Sequence, residues 1–299
     1  MSTGGTHSGT HPIDDGLVRR LIAGQFSQWA GPVVERWPSG GTVNAVYRLG
    51  DDKVVRLPLG REGAEDVARE QEWLPRLAPR LPTPIPEVLG AGEPAQGYSW
   101  PWSVYRWLAG EHPEAGALSE PELLAEDLAA FVAAMRSITL PAAPKAHRGG
   151  PVASLDAETR AAIEQLRGIP EEGVDCDAVA AVWEDALRAP GWAGPPVWLH
   201  ADLMPGNLLV DGGRLSAVID FGCAGAGDPA CDLFPAWNLL PAGAREVFRA
   251  ALGVDDATWR RGRGRTLSQA LIALPHYRGT NPAMAHNARH VIRAVLEEG

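Results

Sequence analysis

Trp198-Leu199-His200-Ala201-Asp202-Leu203-Met204-Pro205-Gly206-Asn207-Leu208-Leu209-Val210, followed closely by Val218-Ile219-Asp220-Phe221-Gly222, decides how the rest of the chain is read. The runs 207–210 and 215–219 are split by Asp211-Gly212-Gly213, the pattern of a β-hairpin. An apolar strand, a short polar loop and this hairpin put Asp202, Asn207 and Asp220 at strand ends. Such a trio suits magnesium-assisted phosphoryl transfer. One carboxylate accepts the proton of an attacking hydroxyl or orients it, while an amide oxygen and a second carboxylate are hard ligands for Mg2+. Taken singly, Asp202 and Asp220 would read as turn caps and His200 as a core histidine. The full set at this spacing points to chemistry.

Composition leaves room for that reading. The chain has 299 residues, 45% hydrophobic and 21% charged, which suits a soluble globular protein of two domains or one large one. No apolar run approaches the roughly 18 residues of a membrane span. Residues 1–12 are rich in Gly, Thr, Ser and His, lack the basic and apolar regions of a signal peptide, and are expected to form a disordered tail. The net charge of −10 argues against nucleic acid or an anionic membrane as partner and suits a cationic substrate. Cys176, Cys223 and Cys231 show no CxxC spacing, which fits a reducing cytoplasm without disulfides. Composition is silent on oligomeric state.

His200-x-Asp202-x4-Asn207 with Ile219-Asp220-Phe221-Gly222 resembles the catalytic and metal-binding loops of the protein-kinase superfamily. With Pro205-Gly206 before the Asn and Asp228-Pro229-Ala230-x-Asp232-Leu233 downstream, the chain is similar to the aminoglycoside phosphotransferase, or antibiotic kinase, family from about residue 33 onward. The resemblance implies an α+β, two-lobed protein-kinase-like fold, with a small five-stranded N-lobe and a mostly helical C-lobe. Residues 13–107 are then the nucleotide-binding N-lobe, and 108–299 the C-lobe with catalytic loop, metal site and acceptor site. It also implies Asp202 as catalytic base, Asn207 and Asp220 as Mg2+ ligands, and ATP or GTP as co-substrate. His200 and Asp232 are read as structural, shaping and tying down the loop. Asp228 is read as a helix N-cap before Pro229.

Upstream, apolar spacing over 13–29 predicts a helix, and 33–37, 44–49 and 53–58 read as strands. The Gly-rich connection at 38–43 looks like the family's nucleotide-covering loop, with Ser39, Gly41, Thr42 and Asn44 near the triphosphate. It is not the full G-x-G-x-x-G of protein kinases. The family's third strand carries a lysine that pairs with the α- and β-phosphates and with a helix glutamate. The matching residue here is Arg56, because strand alternation turns Lys53 to the opposite face. Arginine holds phosphate bidentately, so the role survives chemically. Its partner on the helix expected at 62–77 is Glu70, with Glu72 the near alternative.

Strands follow at 87–92 and after the turn at 98–101, leading into a linker whose backbone at Arg106 and Leu108 is expected to meet the base. Beyond Ser119 the spacing turns helical: 119–135, 154–167, 177–189, 233–240, 242–252, 256–274 and 282–296, with a loop at 141–151. The basic run Arg260-Arg261-Gly262-Arg263-Gly264-Arg265 reads as a solvated helix face or loop rather than a nucleic-acid patch. The acceptor is a small-molecule hydroxyl. An aminoglycoside is the first reading, and a metabolic alcohol such as choline, homoserine or a sugar is the second. A nucleotide-binding module with little transfer activity is the third, prompted by Arg56.

Overall fold

The computed structural model describes residues 13–38 and 43–298, so Ser39, Gly41, Thr42 and the tail at 1–12 lie outside the described residues. The chain divides into two compact units. One comprises the described residues through Pro79 together with Ile85–Leu108, and the other Arg80–Pro84 together with the described residues from Ala109 onward.

The smaller unit holds helix α1 (Asp15–Gln25), strands β1 (Val34–Arg36), β2 (Asn44–Leu49) and β3 (Lys53–Pro58), helix α2 (Arg61–Leu77), and strands β4 (Val88–Gly92) and β5 (Trp102–Arg106). The five strands form one antiparallel sheet in the order β1-β2-β3-β5-β4. Alternation decides its faces. Ala45, Tyr47, Leu49, Val55, Leu57, Trp102 and Val104 join Leu17, Leu21 and Ile22 of α1 in one buried cluster. Asn44, Val46, Arg56, Ser103 and Tyr105 therefore turn to the opposite side. Glu70 of α2 meets that side. Lys53 shares the α1 side, where its ammonium lies 5.6 Å from the ring of Trp29.

The larger unit is mostly helical: α3 (Pro121–Ser137), α4 (Asp156–Arg167), α5 (Cys176–Arg188), α6 (Pro235–Asn238), α7 (Ala242–Leu252), α8 (Asp256–Tyr277) and α9 (Pro282–Leu296). Their starts follow capping rules: Asp175, Asp255 and Asn281 accept backbone N–H groups from the first turns of α5, α8 and α9. Between α5 and α6 lie the short strands β6 (Val197–Leu199), β7 (Leu208–Asp211), β8 (Arg214–Val218) and β9 (Gly225–Gly227). β7 and β8 form the expected hairpin, turning at Gly212 and Gly213 with φ of 55° and 79°, a left-handed pair that glycine adopts without strain.

The basic run departs from expectation. It lies within α8, yet Arg261 and Arg265 are only 3% and 2% exposed. A Cβ at Gly262 would lie 2.7 Å from Leu233, and one at Gly264 2.2 Å from Ala186, so the glycines are where neighbouring elements press closest. Arg261 forms a buried pair with Asp228, at 2.9 and 3.1 Å, and donates to the Pro190 carbonyl at 2.6 Å. Burial is tolerated because the charge is paired and hydrogen-bonded. An arginine count cannot report such partners.

The segment at 144–149 is equally unlike a free loop. The Ala146 N–H donates to the Ala226 carbonyl at 3.0 Å, Ala226 donates back to Pro144 at 2.7 Å, and Asp228 donates to Gly149 at 3.0 Å. The segment lies flat on β9 because glycines face it. A Cβ at Gly225 would fall 2.5 Å from both the Ala146 nitrogen and the Pro144 oxygen. Gly225→Ala is accordingly expected to cost about 1–3 kcal/mol or more, read as a lowered denaturant midpoint, because backbone on both sides leaves no room to relax.

Candidate active site

In the larger unit the strand β6 ends at Leu199, and the next residues are held by a buried carboxylate. Asp232, fully buried, accepts the N–H of His200 at 2.8 Å and that of Ala201 at 2.7 Å. Burial pushes its carboxyl above the ordinary carboxylate value. Ala201 adopts φ 65°, a left-handed conformation that an alanine holds only when its surroundings impose it. His200 is also buried. Its Nε2 lies 3.0 Å from the Ile219 carbonyl, and its Nδ1 accepts the Asp202 N–H at 3.2 Å. One imidazole, donating on one side and accepting on the other, thus joins the 200–207 loop to the strand leading into Asp220. Phe221 packs edge-on against His200 at 4.6 Å, and both meet Phe131 of α3 at 6.5 Å.

Asn207 completes the loop. Its amide nitrogen donates to the Asp202 carbonyl at 2.8 Å and to Asp202 Oδ2 at 3.0 Å. The Asn207 backbone carbonyl accepts the Ile219 N–H at 2.9 Å, which brings Asn207 beside the backbone that carries Asp220. Asp220 itself sits at φ 66° and ψ 72°, the left-handed region again. Asp202, Asn207 and Asp220 are therefore brought together through hydrogen bonds, though 18 residues separate the first from the last in the chain.

Because the Asn207 NH2 group is spent on Asp202, the amide oxygen is the atom left for a ligand role. An amide oxygen beside a carboxylate is a donor set suited to Mg2+, which keeps several waters and takes few protein ligands. The residues present fit the metal. Among the described residues no cluster of three or more His, Cys, Asp and Glu is placed to hold a metal ion.

In the smaller unit Arg56 Nη1 donates to both carboxylate oxygens of Glu70, at 2.9 and 3.0 Å, and the Tyr105 hydroxyl donates to Glu70 Oε2. Glu70 is 1% exposed, so these partners make its burial tolerable. Burial, reinforced by the Glu70 charge, pushes the Tyr105 hydroxyl well above its ordinary value and keeps it a donor. Glu72 instead pairs with Arg76 on the exposed side of α2. Asn44 is buried on the same sheet face as Arg56. Arg106, expected in the linker, is the last residue of β5: its N–H donates to the Glu87 carbonyl at 3.0 Å and its side chain pairs with the Glu87 carboxylate at 2.5 Å, while Leu108 beyond it is half-buried.

Several residues about the loop escape a reading of the sequence. Arg148 pairs with Asp202 Oδ1. Buried Asn238 donates to the Leu203 carbonyl at 3.1 Å. Asp228 caps the turn at Pro229–Leu233, as its place before proline suggests, but also carries the pair with Arg261. The signal for Arg148 was confined to a Gly-Gly step after it, in a stretch without periodicity.

Residues 36–265 match the phosphotransferase enzyme family. The chain belongs to that family. It is a phosphotransferase. No curated protein sequence matches it. Among solved structures it is similar to the GDP and kanamycin complex of APH(2")-IIia, with a TM-score of 0.75 and 20% identity over 94% of this chain and 99% of that one. The apoenzyme of macrolide 2'-phosphotransferase MphH from Brachybacterium faecium gives 0.62 and 22%, over 94% and 98%. ADP-bound aminoglycoside phosphotransferase APH(2'')-Ib gives 0.60 and 16%, over 95% and 99%. At these identities the likeness establishes the kinase-like α+β fold. No helix among the described residues is long and apolar enough to cross a membrane.

Two outcomes are expected. Asp232→Ala strands two buried N–H groups at about 1–3 kcal/mol each while relieving a buried carboxylate, for a net loss of roughly 2–5 kcal/mol in denaturant unfolding. Iodoacetamide should label half-buried Cys223 in the native protein well before Cys231, whose thiol is pushed by burial up to about 12 and so stays protonated at neutral pH. Labelling of Cys231 should wait for unfolding.

Proposed function

We propose that this chain moves the γ-phosphate of ATP or GTP to a hydroxyl of a small cationic molecule of aminoglycoside type, in a Mg2+-dependent reaction. The observation that carries the reading is the grip on Asp202. Its backbone is fixed by His200 and its carboxylate by Asn207, so one carboxylate is presented in a set orientation beside the Asn207–Asp220 pair. Asp202 accepts a hydrogen bond from the acceptor hydroxyl and aligns it on the γ-phosphorus, and positioning of this kind supplies much of the rate in phosphoryl transfer. Asn207 and Asp220 would hold Mg2+, which when bound neutralises charge on the phosphate oxygens. Arg56, itself steadied by Glu70, serves the α- and β-phosphates. Asn44, the backbone at Arg106 and Leu108, and Ser39, Gly41 and Thr42 remain the proposed contacts to the rest of the nucleotide.

The acceptor class rests on the net charge of −10, which favours a cation, and on the kanamycin named with the similar structure. Similarity to macrolide 2'-phosphotransferase MphH supports a second reading, transfer to a macrolide hydroxyl. Three free cysteines fit work in the reducing cytoplasm.

The test is Mg2+-dependent consumption of ATP and of GTP across aminoglycosides, macrolides and small metabolic alcohols. Stimulation by an aminoglycoside is expected, and stimulation only by another alcohol would overturn the acceptor class. Asp202→Ala should lower turnover by roughly 10²–10⁴-fold, the usual worth of a general base, while nucleotide still raises the thermal midpoint. Asp220→Ala should remove the extra thermal stabilisation that Mg2+ adds to nucleotide. Near wild-type turnover in either variant would sink the assignment.

A further inference from the structure

Asp202 is held by more than the phosphotransferase motif. Its Oδ2 accepts from Asn207, and its Oδ1 is paired with the Arg148 guanidinium. A carboxylate turns easily about its last torsion, and a single donor leaves it free to swing. Donors on both oxygens fix its plane. An ionised carboxylate has about four lone-pair sites, so Oδ1 keeps one for a further donor after Arg148 has taken its own.

Arg148 is mounted to do this repeatedly in one geometry. Its carbonyl accepts Nη1 of buried Arg265 at 2.7 Å and the Cys231 thiol at 3.3 Å. On either side the His147 N–H donates to Cys223 at 3.1 Å, and the Gly149 carbonyl accepts from Asp228 at 3.0 Å. The segment is pressed onto β9, where a Cβ on Gly227 would lie 2.6 Å from Gly149 Cα. Stability alone does not account for such a mount. The Arg148 and Asp202 side chains are 41% and 20% exposed, so water weakens the contribution of their ion pair to folding without abolishing it.

We infer that Arg148 is a positioning residue for phosphoryl transfer. With Asn207 it sets the carboxylate plane of Asp202, so that the remaining lone pair of Oδ1 faces the entering hydroxyl. The inference rests on the proposed function. Arg148 acts through Asp202 and takes no proton itself.

Arg148→Met keeps the aliphatic stem and removes the donors. It should lower kcat by about 10–100-fold with the KM for nucleotide essentially unchanged, since misplacing a reacting group costs rate rather than remote binding. Arg148→Lys should recover part of the loss, and guanidinium ion added to Arg148→Ala should recover part of kcat, which a merely structural role would not allow. Wild-type kcat in Arg148→Met, or a loss confined to the KM for nucleotide, would overturn the inference. So would failure of both rescues. Thermal midpoints of Arg148→Met, Asp202→Asn and the double variant give a readout independent of activity. Non-additive shifts are expected of groups in contact, and additive ones would overturn the pairing. If the wild type phosphorylates none of the acceptors offered, the functional reading falls, and this cycle still decides whether Arg148 holds Asp202.

Discussion

Two backbone N–H groups, from His200 and Ala201, point into the protein interior and end on the buried carboxylate of Asp232. Much of the candidate site depends on that constraint. It holds Ala201 in a left-handed conformation that the residue would not choose, and so reverses the chain directly after β6. With the reversal fixed, the His200 ring reaches the Ile219 carbonyl, and Asp202 emerges beside Asn207. A carboxylate serves here because it offers two acceptor oxygens to two adjacent donors. Interior N–H groups left without acceptors carry a desolvation cost, and the two carboxylate oxygens remove it.

The smaller unit solves a different problem by strand alternation. One face of the sheet is apolar and is covered by α1, so every second residue is committed to that core. The other residues are free to carry charge, and Arg56, Glu70 and Tyr105 meet there in a mutually satisfied group. Arginine in place of lysine fits this setting. Its Nη1 donates to both oxygens of Glu70, and a guanidinium is an always-charged donor well matched to a buried carboxylate. The same alternation removes Lys53 from consideration and leaves it against Trp29.

Local pattern carried a great deal of this. The hairpin at β7 and β8 was legible because a Gly-Gly turn between apolar runs has few other readings. The helices were legible from apolar spacing, although 233–240 resolves into a turn at Pro229–Leu233 and the short α6 rather than one helix. Proline at 229 and 235 and the caps they favour account for that break. The structural roles read for His200, Asp228 and Asp232 followed from their places beside a loop and before a proline. What failed was the environment of charge. Arg261 and Arg265 read as solvated because arginine usually is, whereas their glycine neighbours let α8 sink among other elements and bury them against acceptors.

The sequence by itself determined the order of elements and the family's motif, and it singled out Asp202, Asn207, Asp220, Arg56 and Glu70 as candidates. Those signals are local in spacing or fixed by strand and helix periods. Only the tertiary structure decided that Arg148 reaches Asp202, that residues 144–149 lie on β9, and that Arg265 steadies the segment from α8. Those contacts join residues 54, 80 and 117 positions apart, counted from 148 to 202, from 146 to 226 and from 148 to 265. They depend on where glycine permits two backbones to touch. No periodicity encodes that, because the missing side chains that allow the approach leave nothing in the pattern to read.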